Sequence, residues 1–395
     1  LVVLTESHGG YQQTFEDEID FTIKTSPARD RLDRTGGVFV RSILNLSDQE
    51  IVLLNSIARI VISSGKETLK NILKIDNKIR HQRINLPAFT PIERVRKVKP
   101  SLVSGRYTNG LGSFSEDGSQ YTIHTSPDNL PPRPWSNVVA NKNFGFLITE
   151  TGAGYTWSDN SREYRLTTWS NDPVSDPHSE LIYIRECETN NFWNPTAGPV
   201  KDNNEVIVNH TQGYSSFSTV NQSIQSELSV SIDPHKNLKV YTLNLTNNDS
   251  KSKDLEVYFY IDPVLGVTKL ETYRNLISNF DADQKIISFR NPVSIEFSHK
   301  ISFIGSNYEI SSFTTSKEEF IGANGSLSFP LAFKNALLNK GFLSDINKVK
   351  NSIQLTNKIG TGYDQAGILQ VKVSLKAGSS ESVSFFLGCE NNLDD

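Results

Sequence analysis

A short polar segment, Tyr155 to Asp176, gathers side chains that suit sugar binding. Its sequence is YTWSDNSREYRLTTWSNDPVSD, which contains two of the four tryptophans of the chain. An indole offers a flat apolar face, while guanidinium, amide and carboxylate groups offer fixed donors and acceptors around its rim. The segment therefore predicts a carbohydrate-contacting loop. The side chains expected to contact substrate are Trp157, Arg162, Arg165, Trp169, Asn171 and Asp172.

Two other interpretations of this segment stay open. It could be a structural loop, whose aromatic residues brace the fold and whose Arg–Asp pairs tie its ends together. Alternatively, Glu163 and Asp172 could be the carboxylate pair of a free-standing glycoside hydrolase. The hydrolase interpretation needs an apolar pocket that raises the pKa of one carboxyl, and the segment shows no such pattern.

Composition excludes several other classes of function. The chain has 395 residues and a net charge of −4, which argues against binding to nucleic acid or to a membrane surface. The seven histidines show no metal-ligand spacing, so neither a metal nor another cofactor is expected. The chain has only two cysteines, which is too few for a disulfide framework and favours a reducing compartment. Because the chain starts at Leu1 and contains no methionine, we expect a fragment of a longer protein.

The first part of the chain, residues 1–75, is predicted to be a small α/β segment, the tail of a preceding domain. LVVLTE and GGVFVRSILNL are predicted strands, while YQQTFEDEIDFTIK and GKETLKNILKI are predicted helices. Ser47 and Glu50 have the spacing of a capping box at the start of another helix, whose apolar positions recur as far as Val61. Residues 76–103 are basic, contain prolines and show no period, which predicts a linker.

The pattern changes to β structure over residues 104–388. More than a dozen short alternating runs, among them QYTIHT, LKVYTLNLTN and ISFIGS, are separated by turn residues. Asp117-Gly118 predicts a hairpin turn, and TNNDSKSKD predicts a polar hairpin tip. This pattern predicts a mainly β fold, a large two-sheet antiparallel sandwich. The helix-prone interval at residues 316–351 is predicted to be a decorated loop outside the core.

A longer stretch resembles a known family. PPRPWSNVVANKNFGFLITETGAGYTWSDNSREYRLTTWSNDPVSD is similar to the cyclic β-1,2-glucan synthases and, more distantly, to the cellobiose and chitobiose phosphorylases of glycoside hydrolase family 94. NGLGSFSEDGSQYTI, FWNPT, GYSSF, EFIGANGSL and FFLG agree in the same order, so the resemblance covers about Asn109 to Gly388. It implies a galactose-mutarotase-like super-sandwich.

The resemblance also implies what lies around this sandwich. In the family, a helical linker and an (α/α)6 barrel follow it, and the barrel carries the general acid and the phosphate site. We therefore expect residues 389–395 to begin that linker and this fragment alone to be inactive. Inorganic phosphate is expected as the co-substrate of the parent enzyme, a glycosyltransferase or inverting glycoside phosphorylase. A non-catalytic sugar-contacting module and a purely structural or assembly module are both compatible with this picture.

The expected partners follow from the same resemblance. They are a β-glucan oligosaccharide, the missing C-terminal barrel, the preceding domain, and a second copy of the chain in a homodimer. We expect a location on the cytoplasmic side, with the parent protein anchored in the bacterial inner membrane. Tyr164, Arg165 and Thr168 depart from the family pattern. We expect the aromatic and the charge, at the tip of the loop, to alter which sugar units are accepted.

Overall fold

The computed structural model describes residues 1–6, 14–58, 60–63, 105–127, 129–202, 204–334 and 352–391. The chain divides into two compact units, Leu1–Glu93 and Arg94–Asp395. The predicted helix GKETLKNILKI and the whole of the predicted basic linker, residues 76–103, lie outside the described residues.

The described residues of the first unit include two strands and two α-helices, which confirms the predicted small α/β segment. Strands β1 (Val2–Thr5) and β2 (Phe39–Ser42) pair in parallel. Helices α1 (Thr14–Thr25) and α2 (Asp48–Ile57) follow them in the order β1, α1, β2, α2.

The capping box of α2 is present as predicted. The Glu50 N–H donates to Ser47 Oγ over 3.4 Å, and the Ser47 N–H donates to Glu50 Oε2 over 2.8 Å. The helix is shorter than its apolar pattern predicted, because Ala58 already has an extended backbone with φ −67° and ψ 128°. Val61 therefore lies beyond the helix.

The second unit consists mostly of strands. They are β3 (Gly112–Phe114), β4 (Gln120–Thr125), β5 (Ser136–Ala140), β6 (Phe144–Thr149), β7 (Gly154–Ser158), β8 (Arg165–Thr167), β9 (Glu180–Glu186), β10 (Phe192–Trp193), β11 (Val206–Thr211), β12 (Tyr214–Asn221), β13 (Ile224–Ile232), β14 (Leu238–Asn247), β15 (Lys253–Ile261), β16 (Pro263–Gly266), β17 (Ile277–Asp281), β18 (Ile286–Arg290), β19 (Ile301–Ser306), β20 (Ile310–Ser316), β21 (Gln365–Leu375) and β22 (Ser380–Glu390). Within the part that the structure describes, the short helices α3 (Lys269–Thr272) and α4 (Lys317–Phe320) interrupt the strands.

The strands form three antiparallel sheets, which confirms the predicted mainly β super-sandwich. One sheet has ten strands in the order β17-β18-β19-β22-β14-β13-β12-β11-β4-β3. The other two have five strands each, in the orders β10-β9-β15-β21-β20 and β16-β8-β7-β6-β5. The predicted turn at Asp117-Gly118 joins β3 to β4, with Gly118 at φ +73°, a conformation that glycine adopts without strain.

One large apolar cluster contains side chains from all three sheets. Along β14, buried and less buried side chains alternate, as expected for a strand with one face turned inward. Phe259 on β15 stacks on Phe385 of β22 at 5.1 Å, which brings the ten-stranded sheet against one five-stranded sheet. The two five-stranded sheets meet at Asp262, where the chain passes from β15 directly into β16.

The predicted hairpin at TNNDSKSKD is wrong. Strand β14, before this segment, belongs to the ten-stranded sheet, whereas β15, after it, belongs to a five-stranded sheet. The Asn247 amide stabilises the crossing, because its Nδ2 donates to the carbonyls of Lys251 (2.8 Å), Leu375 (3.3 Å) and Lys376 (3.1 Å). The polar composition that suggested a hairpin tip serves a connection between layers.

The helix-prone interval is also different from its prediction. Residues 335–351 lie outside the described part, but Phe320 on α4 and Phe333 are buried in a second apolar cluster. Both rings lie within 5.8 Å of Tyr183 on β9. This interval therefore contributes to the core, because its aromatic residues cover the outer face of a five-stranded sheet.

We predict that Phe320→Ala lowers the free energy of unfolding by about 3–5 kcal/mol, because Phe320 has 0% exposure and its loss leaves a cavity. Leu270→Ala is the matched control. Leu270 lies on the neighbouring short helix α3 with 84% exposure, and its removal should change the free energy by less than about 0.5 kcal/mol. Urea unfolding of both variants measures the difference, and equal stabilities would return the interval to a surface loop.

Candidate functional site

The segment Tyr155 to Asp176 consists of two strands and two turns. Strands β7 and β8 pair antiparallel at one position, Trp157 opposite Arg165. Part of the segment is core, since Leu166 and Thr167 are fully buried. The loop predicted from composition is therefore a strand pair with ligand-type side chains on its outer side.

Three aromatic rings meet on this strand pair, and we call Tyr155, Trp157 and Trp169 the aromatic cluster. Trp169 stacks on Tyr155 at 5.2 Å with an interplanar angle of 24°. Trp157 lies 5.3 Å from Tyr155 at 40°. Tyr155 is buried, whereas both indoles are only half-buried. The cluster thus leaves parts of two indole rings accessible.

Arg165 holds this cluster together from within. Its guanidinium lies 5.5 Å from the centre of the Tyr155 ring. Its Nη1 donates to the Trp169 carbonyl over 3.0 Å, and its Nε donates to the Ser161 carbonyl over 3.4 Å. Two of its donor groups are therefore engaged by the segment itself, and no acidic partner is needed to fix it.

Arg162 is placed differently. Its side chain is 78% exposed, and its Nε lies 3.5 Å from Glu163 Oε1, a long contact between two surface groups. The backbone beneath it is fixed, because the N–H groups of Arg162 and Glu163 both donate to Asn160 Oδ1. Arg162 therefore presents a guanidinium to solvent from a rigid turn.

Asn171 and Asp172 lie in the second turn. Asn171 is exposed and adopts φ +51°. Asp172 accepts from Ser175 Oγ (2.6 Å) and from the Val174 N–H (2.9 Å), and these hydrogen bonds lower the pKa of its carboxyl. A general acid of a hydrolase needs a raised pKa, so Asp172 does not fit that role. Asp172 orders the turn after Pro173.

The expectation for Tyr164 is wrong. Tyr164 has 0% exposure and stacks on Phe297 at 4.4 Å, so its ring belongs to the core and not to the tip of a loop. The Tyr164 ring is therefore not accessible to a sugar. Thr168, another departure from the family pattern, lies within 3.4 Å of Asp262 through its hydroxyl.

Sequence reasoning missed a charged network behind the strand pair. The Glu180 carboxylate accepts from the hydroxyls of Thr156 and Thr167 and from the Lys239 ammonium, which is only 1% exposed. These residues lie on separate strands, so no local sequence motif predicts that they interact. One signal could have revealed the network: a charged residue at a position where the apolar alternation of a strand predicts a buried side chain. Lys239 in LKVYTLNLTN is such a residue.

Sequence reasoning also missed Glu150, the residue that directly follows β6. It is 3% exposed, and its Oε2 accepts from the Trp135 N–H over 2.7 Å. Burial raises the pKa of Glu150 to about 7, and the nearby Asp176 carboxylate adds to the shift. Asp176 itself accepts from the hydroxyls of Thr149 (2.8 Å) and Thr151 (2.5 Å).

Across the described ranges, no group of three or more histidine, cysteine or acidic side chains could hold a metal ion. Within the same ranges, no helix has the length and apolar character that a membrane crossing requires.

Comparisons with known proteins identify the family. The model of the glycosyl hydrolase 94 supersandwich domain matches residues 119–395. The chain therefore belongs to this family, and the resemblance inferred from its motifs is confirmed.

The curated relatives include a synthase and phosphorylases. The chain is 30% identical over 289 residues to the cyclic beta-(1,2)-glucan synthase NdvB of Rhizobium meliloti (strain 1021), which covers 73% of this chain and 10% of that protein. It is 20% identical over 284 residues to an N,N'-diacetylchitobiose phosphorylase of Vibrio furnissii, covering 70% of this chain and 33% of that one. It is 25% identical over 281 residues to a solabiose phosphorylase of Paenibacillus borealis, covering 68% and 33%. The chain thus spans about a tenth of the synthase and about a third of each phosphorylase.

We predict that Glu150→Gln gains stability relative to the wild type as the pH rises. A pKa raised from 4.5 to about 7 means that the fold favours the protonated carboxyl. This contribution is fully present below pH 4.5 and is lost as the pH rises through about 7, and it amounts to about 3 kcal/mol. Glutamine mimics the protonated acid and can still accept from the Trp135 N–H. The stability of the Glu150→Gln variant should therefore not fall as the carboxyl titrates.

Urea unfolding of both proteins at pH 4.5 and at about pH 8 measures this effect. His210, whose pKa burial lowers to about 4, titrates in both proteins, so the difference between them isolates Glu150. A difference in stability that does not change with pH would show that Glu150 titrates normally.

Proposed function

We propose that this supersandwich unit is a non-catalytic module that contacts a β-glucan oligosaccharide. The parent protein would be a cyclic β-1,2-glucan synthase or an inverting glycoside phosphorylase that builds or trims β-glucans. The observation that carries the proposal is the pair of half-buried indoles, Trp157 and Trp169, together with the exposed guanidinium of Arg162 in the turn between β7 and β8. The family membership and the names of the relatives support the choice of a carbohydrate.

The chemistry of the cluster suits a sugar ring. The apolar face of a pyranose can lie on an indole, and its hydroxyls need donors at the rim. Arg162 can supply such donors from a turn whose backbone is already fixed by Asn160. Asn171 is exposed in the neighbouring turn and adds an amide.

Proton transfer would be the task of another part of the parent enzyme. Within Tyr155 to Asp176, Asp172 orders its own turn and Asp159 pairs with Lys300 over 2.6 Å. Glu150 has a raised pKa but is buried beneath Trp135. We therefore assign the general acid and the phosphate site to a helical barrel of the same polypeptide, with phosphate as co-substrate. We extend the proposal to a parent anchored in the bacterial inner membrane and active on its cytoplasmic side.

One observation favours a structural module as the alternative. Two donor groups of Arg165 form hydrogen bonds with carbonyls of its own segment, as expected for a loop whose role is to stabilise the fold. In that case the outer indole faces would pack against a neighbouring domain or a second copy of the chain. Sugar binding by the isolated chain separates the two functions.

We predict that the chain binds a β-1,2-gluco-oligosaccharide and that Arg162→Ala weakens the binding about tenfold, the value of one hydrogen bond from a charged group. Arg290→Ala on β18, which removes another exposed arginine, is the control and should bind as the wild type does. Because the Arg162 side chain is 78% exposed, its loss should change the free energy of unfolding by less than about 0.5 kcal/mol.

Isothermal titration calorimetry of the three proteins provides the test, with a β-1,4-linked oligosaccharide as the linkage comparison. Equal affinities for the two arginine variants would remove Arg162 from the site. If the wild type binds no glucan, the structural module replaces the sugar-contacting one.

We also predict that the isolated chain releases no sugar phosphate from β-1,2-glucans in the presence of inorganic phosphate. The physical reason is that Asp172 and Asp159 are held by other side chains and by backbone donors, while Glu163 is a 48% exposed surface group next to Arg162 and lies in no apolar pocket. Turnover that survives repurification, and that Glu163→Gln abolishes, would contradict the non-catalytic proposal and favour a free-standing hydrolase or phosphorylase.

A further inference from the structure

The strand pair that carries the aromatic cluster rests on a single buried carboxylate. Glu180, at the start of β9, accepts from Thr156 Oγ1 (2.6 Å), Thr167 Oγ1 (2.5 Å), Lys239 Nζ (2.5 Å) and the Tyr241 hydroxyl. A carboxylate offers about four acceptor sites, so these donors satisfy it. Since they lie on β7, β8 and β14, the carboxylate ties together strands of all three sheets in the second unit.

The backbone pairing of β7 with β8 is short, and the Ser158 N–H extends it by donating to the Tyr164 carbonyl over 3.2 Å. Trp157 opposite Arg165 is the register pair between them. One residue earlier on β7, the Thr156 N–H donates to Thr167 Oγ1 over 2.9 Å, where a regular ladder would use a carbonyl. The same Thr167 hydroxyl then donates to Glu180. A side-chain relay thus replaces part of the ladder.

This relay lies directly behind the indoles. Thr156 and Trp157 are consecutive in β7, so their side chains point to opposite sides of the sheet. Thr156 is fully buried, whereas Trp157 is half-buried. On β8, Arg165 holds the Trp169 carbonyl. The spacing of the two strands therefore sets the spacing of the two indoles.

We infer that Glu180, acting through Thr156 and Thr167, is the positioning residue of the aromatic cluster. It holds β7 and β8 where Trp157 and Trp169 both pack against Tyr155. Glu180 does not touch a ligand, because its side chain is 5% exposed and lies on the inner side of the strands. The consequence for sugar binding rests on the proposed function, whereas the consequence for the geometry of the cluster does not.

The chain offers a matched control elsewhere in the same unit. Glu256 on β15 forms a buried ion pair with Arg185 over 2.5 Å and accepts from the Tyr258 hydroxyl over 2.7 Å. Tyr258→Phe and Thr167→Val therefore each remove one hydroxyl donor from a buried, paired carboxylate. Only Thr167 connects its carboxylate to the strands of the aromatic cluster.

The first measurement is acrylamide quenching of tryptophan fluorescence in the full chain. Thr167→Val should increase quenching because Trp157 and Trp169 separate from Tyr155, and Thr167→Ser should restore it. Tyr258→Phe should lower Tm to a similar extent but leave the quenching unchanged. Quenching of Thr167→Val that equals that of Tyr258→Phe would overturn the inference.

The second measurement is the affinity for a β-1,2-gluco-oligosaccharide. We expect Thr167→Val to bind about tenfold more weakly, with Thr167→Ser and Tyr258→Phe near the wild type. If the wild type binds no glucan, the proposed function fails, and the quenching experiment still decides the positioning role. Should Thr167→Val fail to fold, Thr156→Val removes one donor to Glu180 while the Thr156 N–H keeps its bond to Thr167. Unchanged quenching in that variant would also overturn the inference.

Discussion

A buried carboxylate paired with a buried ammonium group is the constraint on which the second unit depends. Burial alone would raise the pKa of Glu180, but Lys239 and the surrounding hydroxyls lower it overall, so the carboxyl stays charged. Removing either partner would leave an uncompensated charge in the interior, which costs far more than a surface pair contributes. The Lys239 ammonium also lies 4.2 Å from the centre of the Phe146 ring on β6. Both five-stranded sheets and the ten-stranded sheet are therefore held in one arrangement by this pair.

A second polar junction sits where the layers are divided. Asp262, between β15 and β16, accepts from Lys269 Nζ over 2.6 Å and from Lys317 Nζ over 3.0 Å. Lys269 also donates to the carbonyls of Pro263 and Gln365. These contacts lie at the point where the strand ladder of one five-stranded sheet ends and that of the other begins. The two five-stranded sheets therefore stay packed against each other there. Backbone hydrogen bonds contribute as well, since the Asp262 N–H donates to the Ser179 carbonyl over 2.8 Å and the Thr168 N–H donates to the Asp262 carbonyl over 3.0 Å.

Much of this fold was predictable from local patterns, and the remainder depended on long-range partners. The period-two runs gave β4, β14 and β19 with their boundaries, and the Ser47 capping box gave the start of α2. The connection after β14 was misread, because a polar turn looks the same whether it joins paired strands or crosses between sheets.

The site divided in the same way. Residue types predicted accessible indoles and a solvent-facing Arg162, but the inward turn of Tyr164 depends on Phe297, which is distant in sequence. Glu180 and Lys239 could not be paired either, because no spacing rule connects residues on β9 and β14. The environment of a side chain can be predicted from the sequence when its partners are close to it in the chain. The partners of Tyr164 and Glu180 are far from them in the chain.

The place of β22 in the ten-stranded sheet has a consequence for folding. This last strand lies between β14 and β19, and pairs with both. Until Ser380–Glu390 has left the ribosome, the strands on either side of it present unpaired edges to the cell. Such edges invite association with other chains, and pairings this distant in sequence form slowly. The ten-stranded sheet therefore closes only after β22 has been made, and a nascent chain needs protection until then.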